Sequence, residues 1–195
     1  MTRDCKIIVG TMNASKSAQL LMRAYNLERQ GKKVLCFKPS TDTRSKEISS
    51  RAIQETRTAI EISLDDEPLK IVEIIQKQNP DAVFVDELQF FSEEQVEIFA
   101  RSFSAFDFDL YAYGLLIDYN GNLFLPIKKA LECGFSMQTI DMQCDYCYHD
   151  ATHHILYING EMYTDNHGIT VENTKDDKQE YKSVCFSCYR KELQN

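Results

Sequence analysis

The sequence has no apolar stretch long enough to cross a bilayer, no internal repeat and no excess of positive charge. Lys and Arg number 22 against 30 Asp and Glu, a net charge of -8. An acidic chain is a poor match for a nucleic-acid backbone. Neither nucleic acid nor membrane is therefore expected as a partner. The opening MTRDCKIIVG lacks the apolar core and small-residue cleavage site of an export signal, so the cytoplasm is the expected compartment. A disulfide framework is not expected either. The cysteines number seven, an odd count without an export signal. Cys5, Cys36 and Cys133 are scattered singly and read as small core residues.

What is present suits a globular chain. Hydrophobic residues make up 43% of 195 positions, enough for one compact domain with a small appendage. Residues 6–10 form a short apolar run ending in Gly10. From Lys16 to Gln30 apolar residues recur at helical spacing, and Gly31 ends the helix. Val34 to Phe37 is a second apolar run, closed by Pro39. A helix is predicted from Pro68, at its first position, to Gln78, with Asn79 and Pro80 as the stop. Ala82 to Val85 and Leu110 to Tyr113 are further apolar runs. Between them Ser92 caps a helix reaching Phe103. This alternation predicts an α/β fold, a buried parallel sheet flanked by helices. Residues 115–125 read as a loop, 127–133 as a helix and 173–180 as a mobile charged loop. Texture changes near residue 140, and the Asn159-Gly160 pair signals a hairpin. The expected division is a domain over 1–140 and a smaller one over 141–195.

Gly10, Thr11, Met12, Asn13, Ala14, Ser15, Lys16 and Ser17 lie between the first strand and the first helix. The pattern approximates a phosphate loop, G-x-x-x-x-G-K-[ST]. There, backbone N–H groups cradle phosphate, the lysine reaches the outer phosphates and the hydroxyl binds Mg²⁺. Ser15 stands where the second glycine belongs, a position that favours a residue without a Cβ. A polar strand-to-helix turn with a chance Lys-Ser pair is the alternative. A second acidic strand end, Asp86 and Glu87, follows Val85. Asp86 suits Mg²⁺ beside a phosphate loop, and Glu87 suits a general base for a substrate hydroxyl. Surface acids at an ordinary strand end are the alternative here.

Cys144, Cys147, Cys185 and Cys188 form two C-x-x-C pairs. Such knuckles make a closed four-thiolate zinc site, structural rather than catalytic. Paired disulfides or redox pairs fit poorly in a cytoplasmic chain. His149, His153, His154 and His167 are not needed as ligands beside four cysteines.

These pieces in this order resemble the zinc-ribbon thymidine kinases over nearly the whole chain. The resemblance is carried by residues 10–17, by 32–39 (KKVLCFKP) and by 42–44 (DTR). It continues through 86–91 (DELQFF), Gly114-Leu115 with 118–121 (DYNG) and Phe124, and 181–189 (YKSVCFSCY). It implies a P-loop α/β domain with a small C-terminal zinc-ribbon lid domain. It also implies ATP, Mg²⁺, phosphoryl transfer to a nucleoside 5′-hydroxyl with thymidine first, and a homotetramer. By position, Lys16 holds the phosphates, Ser17 the metal, Glu87 is the base, and Arg44 assists at the reacting hydroxyl. Met12, Phe90, Leu115 and Tyr181 surround the nucleoside, and Tyr119 is the aromatic of the lasso loop that covers the base. The chain departs from the family at Ser15, at Leu116 and Ile117 in the lasso, at Arg51 and at Leu156. Residues 173–180 also lack the usual Gly-Gly. The departures leave open a relative that binds nucleotide as a sensor with little phosphotransfer. A zinc-ribbon nucleic-acid binder is a third reading, which the charge disfavours.

Overall fold

The computed structural model describes residues 3–40, 47–50, 52–164 and 178–194. Six parallel strands form its centre. They are β1 (Cys5–Val9), β2 (Val34–Pro39), β5 (Ile60–Ile62), β6 (Ala82–Val85), β7 (Asp109–Gly114) and β8 (Ser136–Thr139). Their order across the sheet is β5-β2-β6-β7-β1-β8. A polar hairpin, β3 (Glu47–Ser50) with β4 (Glu55–Thr58), lies between β2 and β5 in sequence.

Strand alternation sends side chains to two cores. Ile7, Val9, Val83, Val85, Leu110 and Ala112 point to one face. There they meet α2 (Leu69–Gln78), α3 (Glu93–Ala105) and α4 (Leu125–Glu132). Ile8, Phe84, Tyr111 and Tyr113 point to the other face, against Leu20, Leu21 and Ala24 of α1 (Lys16–Arg29). Burial on both faces is why the central strands are apolar at nearly every position. Ser92 caps α3, as expected, and the Gln95 side chain returns the bond to the Ser92 N–H, a reciprocal cap beyond that expectation.

Several expectations shift. Pro68 precedes α2 as its N-cap rather than opening it. The helix placed at 127–133 begins two residues earlier, with Pro126 in its first turn. The strands β3, β4, β5 and β8 carry no apolar run to announce them, and β8 is exposed at all four positions.

After β8 a second, antiparallel sheet forms. It comprises β9 (His153–Ile158), β10 (Glu161–Met162) and β11 (Gln179–Val184), followed by α5 (Phe186–Glu192). Strand β9 lies in the middle, between β10 and β11. Asn159 and Gly160 both take positive φ, 53° and 88°, and turn β9 into β10 as a two-residue hairpin. Gln179 and Glu180, expected in a mobile loop, instead pair with Ile158 and Tyr157 as strand residues. The rest of that segment through residue 177 lies outside the described residues.

Candidate active site

The C-terminal ends of β1, β7 and β6 are neighbours in the sheet, and the three candidate segments leave from them. This is where open α/β sheets bind ligands. The loop after β1 turns tightly, with Asn13 and Ser15 both left-handed at φ 63° and 58°. Gly10 is required for its space. A Cβ there would fall 2.9 Å from the Cβ of Ala14. Ser15 takes the backbone that glycine takes most easily, at a cost of about 1–2 kcal/mol. Its side chain makes no capping bond to α1.

Lys16 folds back into the loop. Its Nζ donates to the carbonyl of Thr11 at 2.7 Å and to that of Gly10 at 3.5 Å. Burial lowers its pKa, while the charges of Glu87 and Asp86 pull the other way. Ser17 Oγ donates to Asp86 Oδ2 at 3.3 Å, joining the loop to the end of β6. Burial, helped by the charge of Glu87, pushes Asp86 up to about 7. An anion's counter-cation beside these two oxygens would restore the carboxylate.

Glu87 has φ 50° and precedes a single 3-10 turn, Leu88–Phe90. Gln89 holds it, donating from Nε2 to Glu87 Oε2 at 2.6 Å. The same amide accepts from the backbone N–H of Leu115 at 3.0 Å. Gly114 makes room, because a Cβ there would lie 2.7 Å from Gln89 Oε1. One buried amide thus fixes both the candidate base and the start of the 115–125 loop. Sequence reasoning missed Gln89. Its spacing from Glu87 carries no signal without knowing that β7 ends beside it.

The ribbon sheet closes over the phosphate loop with one of its two faces. Ser183 Oγ donates to the carbonyl of Met12 at 2.7 Å. His154, paired with Ser183 across the strands, is 3% exposed, and its ring meets that of Tyr181 at 5.9 Å. Burial, then the charges of Lys16 and His153, push His154 down to about 4. Its Nδ1 is buried with no hydrogen-bond partner. Thr11 Oγ1 adds a 3.5 Å contact to the sulfur of Met142. The alternate residues Ile155, Tyr157 and Val184 face the other way, into a core with Cys144, Cys185 and Tyr189.

Cys144, Cys147, Cys185 and Cys188 gather their sulfurs within 4.8 Å of one another, a cluster that could hold a metal ion. Cys185 Sγ also caps α5, accepting from the N–H of Cys188. His149 Nδ1 lies 3.4 Å from Cys147 Sγ, beside the cluster rather than in it.

The 115–125 segment is more ordered than a plain loop. Ile117 and Leu123 pair as a bridge at its base. Asp118, 7% exposed, accepts from the N–H groups of Asn120 and Asn122 at 2.9 and 2.8 Å. Tyr119 is buried with its ring against Tyr163 at 5.7 Å. Phe90 is half-buried in the 3-10 turn. Arg44 and Arg51 lie outside the described residues. So the structure joins the phosphate loop to Asp86 through Ser17, with Glu87 next in the chain, ties Leu115 to Glu87 through Gln89, and places Tyr181 against His154.

A family model described as thymidine kinase matches residues 4–189. A thymidine kinase of Encephalitozoon cuniculi is 29% identical over 193 residues, covering 97% of this chain and 88% of the relative. One from Streptococcus agalactiae is 36% identical over 156 residues, covering 78% and 80%. Among solved structures, the large terminase of a thermophilic bacteriophage aligns at 15% identity with a TM-score of 0.42, over 72% of this chain and 41% of that one.

Proposed function

This chain belongs to the thymidine kinase family, and on that premise we propose that it transfers the γ-phosphoryl group of ATP to the 5′-hydroxyl of a deoxynucleoside, thymidine first. The product is the nucleoside 5′-monophosphate. The observation that carries the proposal is the convergence of Lys16, Ser17, Asp86 and Glu87 at adjoining strand ends.

Gly10, Thr11, Met12, Asn13, Ala14 and Ser15 present backbone groups to the phosphates of ATP. Lys16 exchanges its carbonyl partners for phosphate oxygens. Ser17 and Asp86 offer the hard oxygen donors that Mg²⁺ prefers, and the ion would neutralise charge between the phosphates. Glu87, fixed by Gln89, accepts the proton of the 5′-hydroxyl as it attacks. Arg44 stabilises the charge that develops there. Met12, Phe90, Leu115, Tyr119 and Tyr181 enclose the nucleoside. Ser15 adopts the left-handed backbone that the position calls for, so its presence gives no reason to favour a sensor without phosphotransfer.

Zinc is the metal proposed for the four cysteines. Zn–S bonds of about 2.3 Å set tetrahedral sulfurs about 3.8 Å apart. Cys147 Sγ lies 3.7 Å from the sulfurs of both Cys185 and Cys188. Such thiolates persist in the reducing cytoplasm, the compartment we propose. Among the described residues no helix is long and apolar enough to cross a membrane. We further propose a functional division near residue 140, no nucleic-acid partner and a homotetramer, the last on family resemblance.

The test is ATP-dependent phosphorylation of a nucleoside panel by the metal-loaded protein. Glu87→Gln should lower kcat about 10²- to 10⁴-fold while ATP still binds. Folded wild-type protein that turns over no nucleoside overturns the proposal.

A further inference from the structure

We infer that Tyr189 is a positioning residue through which the four-cysteine cluster sets the nucleoside-covering loop. Tyr189 follows Cys188 directly on α5, whose first turn is capped by Cys185. The helix is therefore fixed by two residues of the cluster. Tyr189 is 4% exposed and packs in the same core as Cys144 and Cys185. Its ring lies on His153 at 4.7 Å. From that seat its hydroxyl reaches out of the ribbon and donates to the backbone carbonyl of Tyr119 at 3.1 Å, a buried bond.

The receiving loop is a small unit of its own. Asp118 braces it internally, through the N–H groups of Asn120 and Asn122. Those bonds hold its shape but not its place. Gln89 anchors its start through the Leu115 N–H, and the ribbon holds its tip by the Tyr189 hydroxyl and the Tyr119–Tyr163 ring contact. Gly121 is needed at this turn for its backbone rather than for space. It has φ +82°, a conformation that L side chains rarely adopt, and a Cβ there would lie at ordinary contact distance from the Tyr189 hydroxyl. A carbonyl bonded in this way is fixed in direction, and so are the neighbouring peptide groups that would face a base. The cluster thus acts on nucleoside binding at a distance, without touching substrate. The inference rests on the proposed role of Tyr119 over the nucleoside.

Tyr189→Phe removes the hydroxyl and leaves the ring packing. In the metal-loaded full chain it should raise KM for the nucleoside about five- to tenfold. kcat and KM for ATP should stay within about twofold. Amide hydrogen exchange gives a second readout independent of turnover. Exchange at Asn120 to Asn122 should rise in Tyr189→Phe, while the amides of β9 and β11 stay protected. Stripping the metal from wild type with a chelator should open the same loop amides. Unchanged loop exchange in Tyr189→Phe overturns the inference, as does a loop that stays protected when the metal is gone. A nucleoside KM that does not move while loop exchange rises overturns the role assigned to Tyr119 and leaves the tie itself standing.

Discussion

Ser183 and Met12 are 171 positions apart, and a 2.7 Å hydrogen bond joins them, hydroxyl to carbonyl. Through it the ribbon sheet holds the phosphate loop from above while β1 and α1 hold it from below. Ser183 is 1% exposed, while Met12 is half-buried, so the donor side of the bond is the one withdrawn from water. Ser183→Ala should leave the Met12 carbonyl short of its partner and cost about 1–3 kcal/mol of stability. Urea unfolding measures that loss. Calorimetry with ATP should show weaker binding, because a loop freed on one side must be ordered by its ligand.

Ser15 pays for its left-handed backbone. Ser15→Gly should stabilise the protein by about 0.5–1 kcal/mol, the relief of strain less the extra freedom glycine has when unfolded. Chemical denaturation with an unchanged m-value would record it. Turnover should persist in both forms, since the backbone is the same.

Gln89 is the residue on which the candidate base depends most directly. Gln89→Ala removes the partner of both Glu87 and the Leu115 N–H. We expect kcat/KM to fall about tenfold or more through misplacement of the base. Stability should fall by about 1–3 kcal/mol, from the unpaired buried groups. The two losses separate in steady-state kinetics and thermal melts.

His154 makes stability depend on pH. Its folded pKa is lowered to about 4 from 6.5. Between those values the unfolded chain binds a proton that the folded chain does not, so stability rises with pH over that window and is lost as pH falls through it. The gap corresponds to about 3 kcal/mol when fully expressed. His154→Leu should flatten this part of the profile, read as the difference in unfolding free energy between the two proteins at about pH 4.5 and about pH 7.

Much of this could be read in the chain beforehand, and the reason is local. Strands such as Ala82 to Val85 are buried on both faces and advertise themselves by unbroken apolarity. The phosphate loop, the acids after β6 and the cysteine pairs are contiguous or closely spaced, so their chemistry is visible in short windows. What escaped notice depends on pairing. The strands β3, β4 and β8 are short and polar, and only their neighbours make them strands. Gln89 matters because Gly114 lacks a Cβ and Leu115 turns its N–H inward. Ser183 and His154 matter because β9 and β11 pair in one register and turn those side chains toward Met12 and Lys16.

That register has a further consequence, for how the protein can change over time. In β9 and β11 alternate side chains face opposite ways: Ile155, Tyr157 and Val184 pack in the cysteine core, while His154 and Ser183 face the loop after β1. Point substitutions can therefore tune one side and spare the other. A change of length cannot. Adding or deleting one residue inside either strand would turn all its following side chains over. Ile155 and Val184 would then turn toward the loop after β1, and His154 and Ser183 toward the sulfur-lined core. These two strands should tolerate many replacements of residue and almost no insertions.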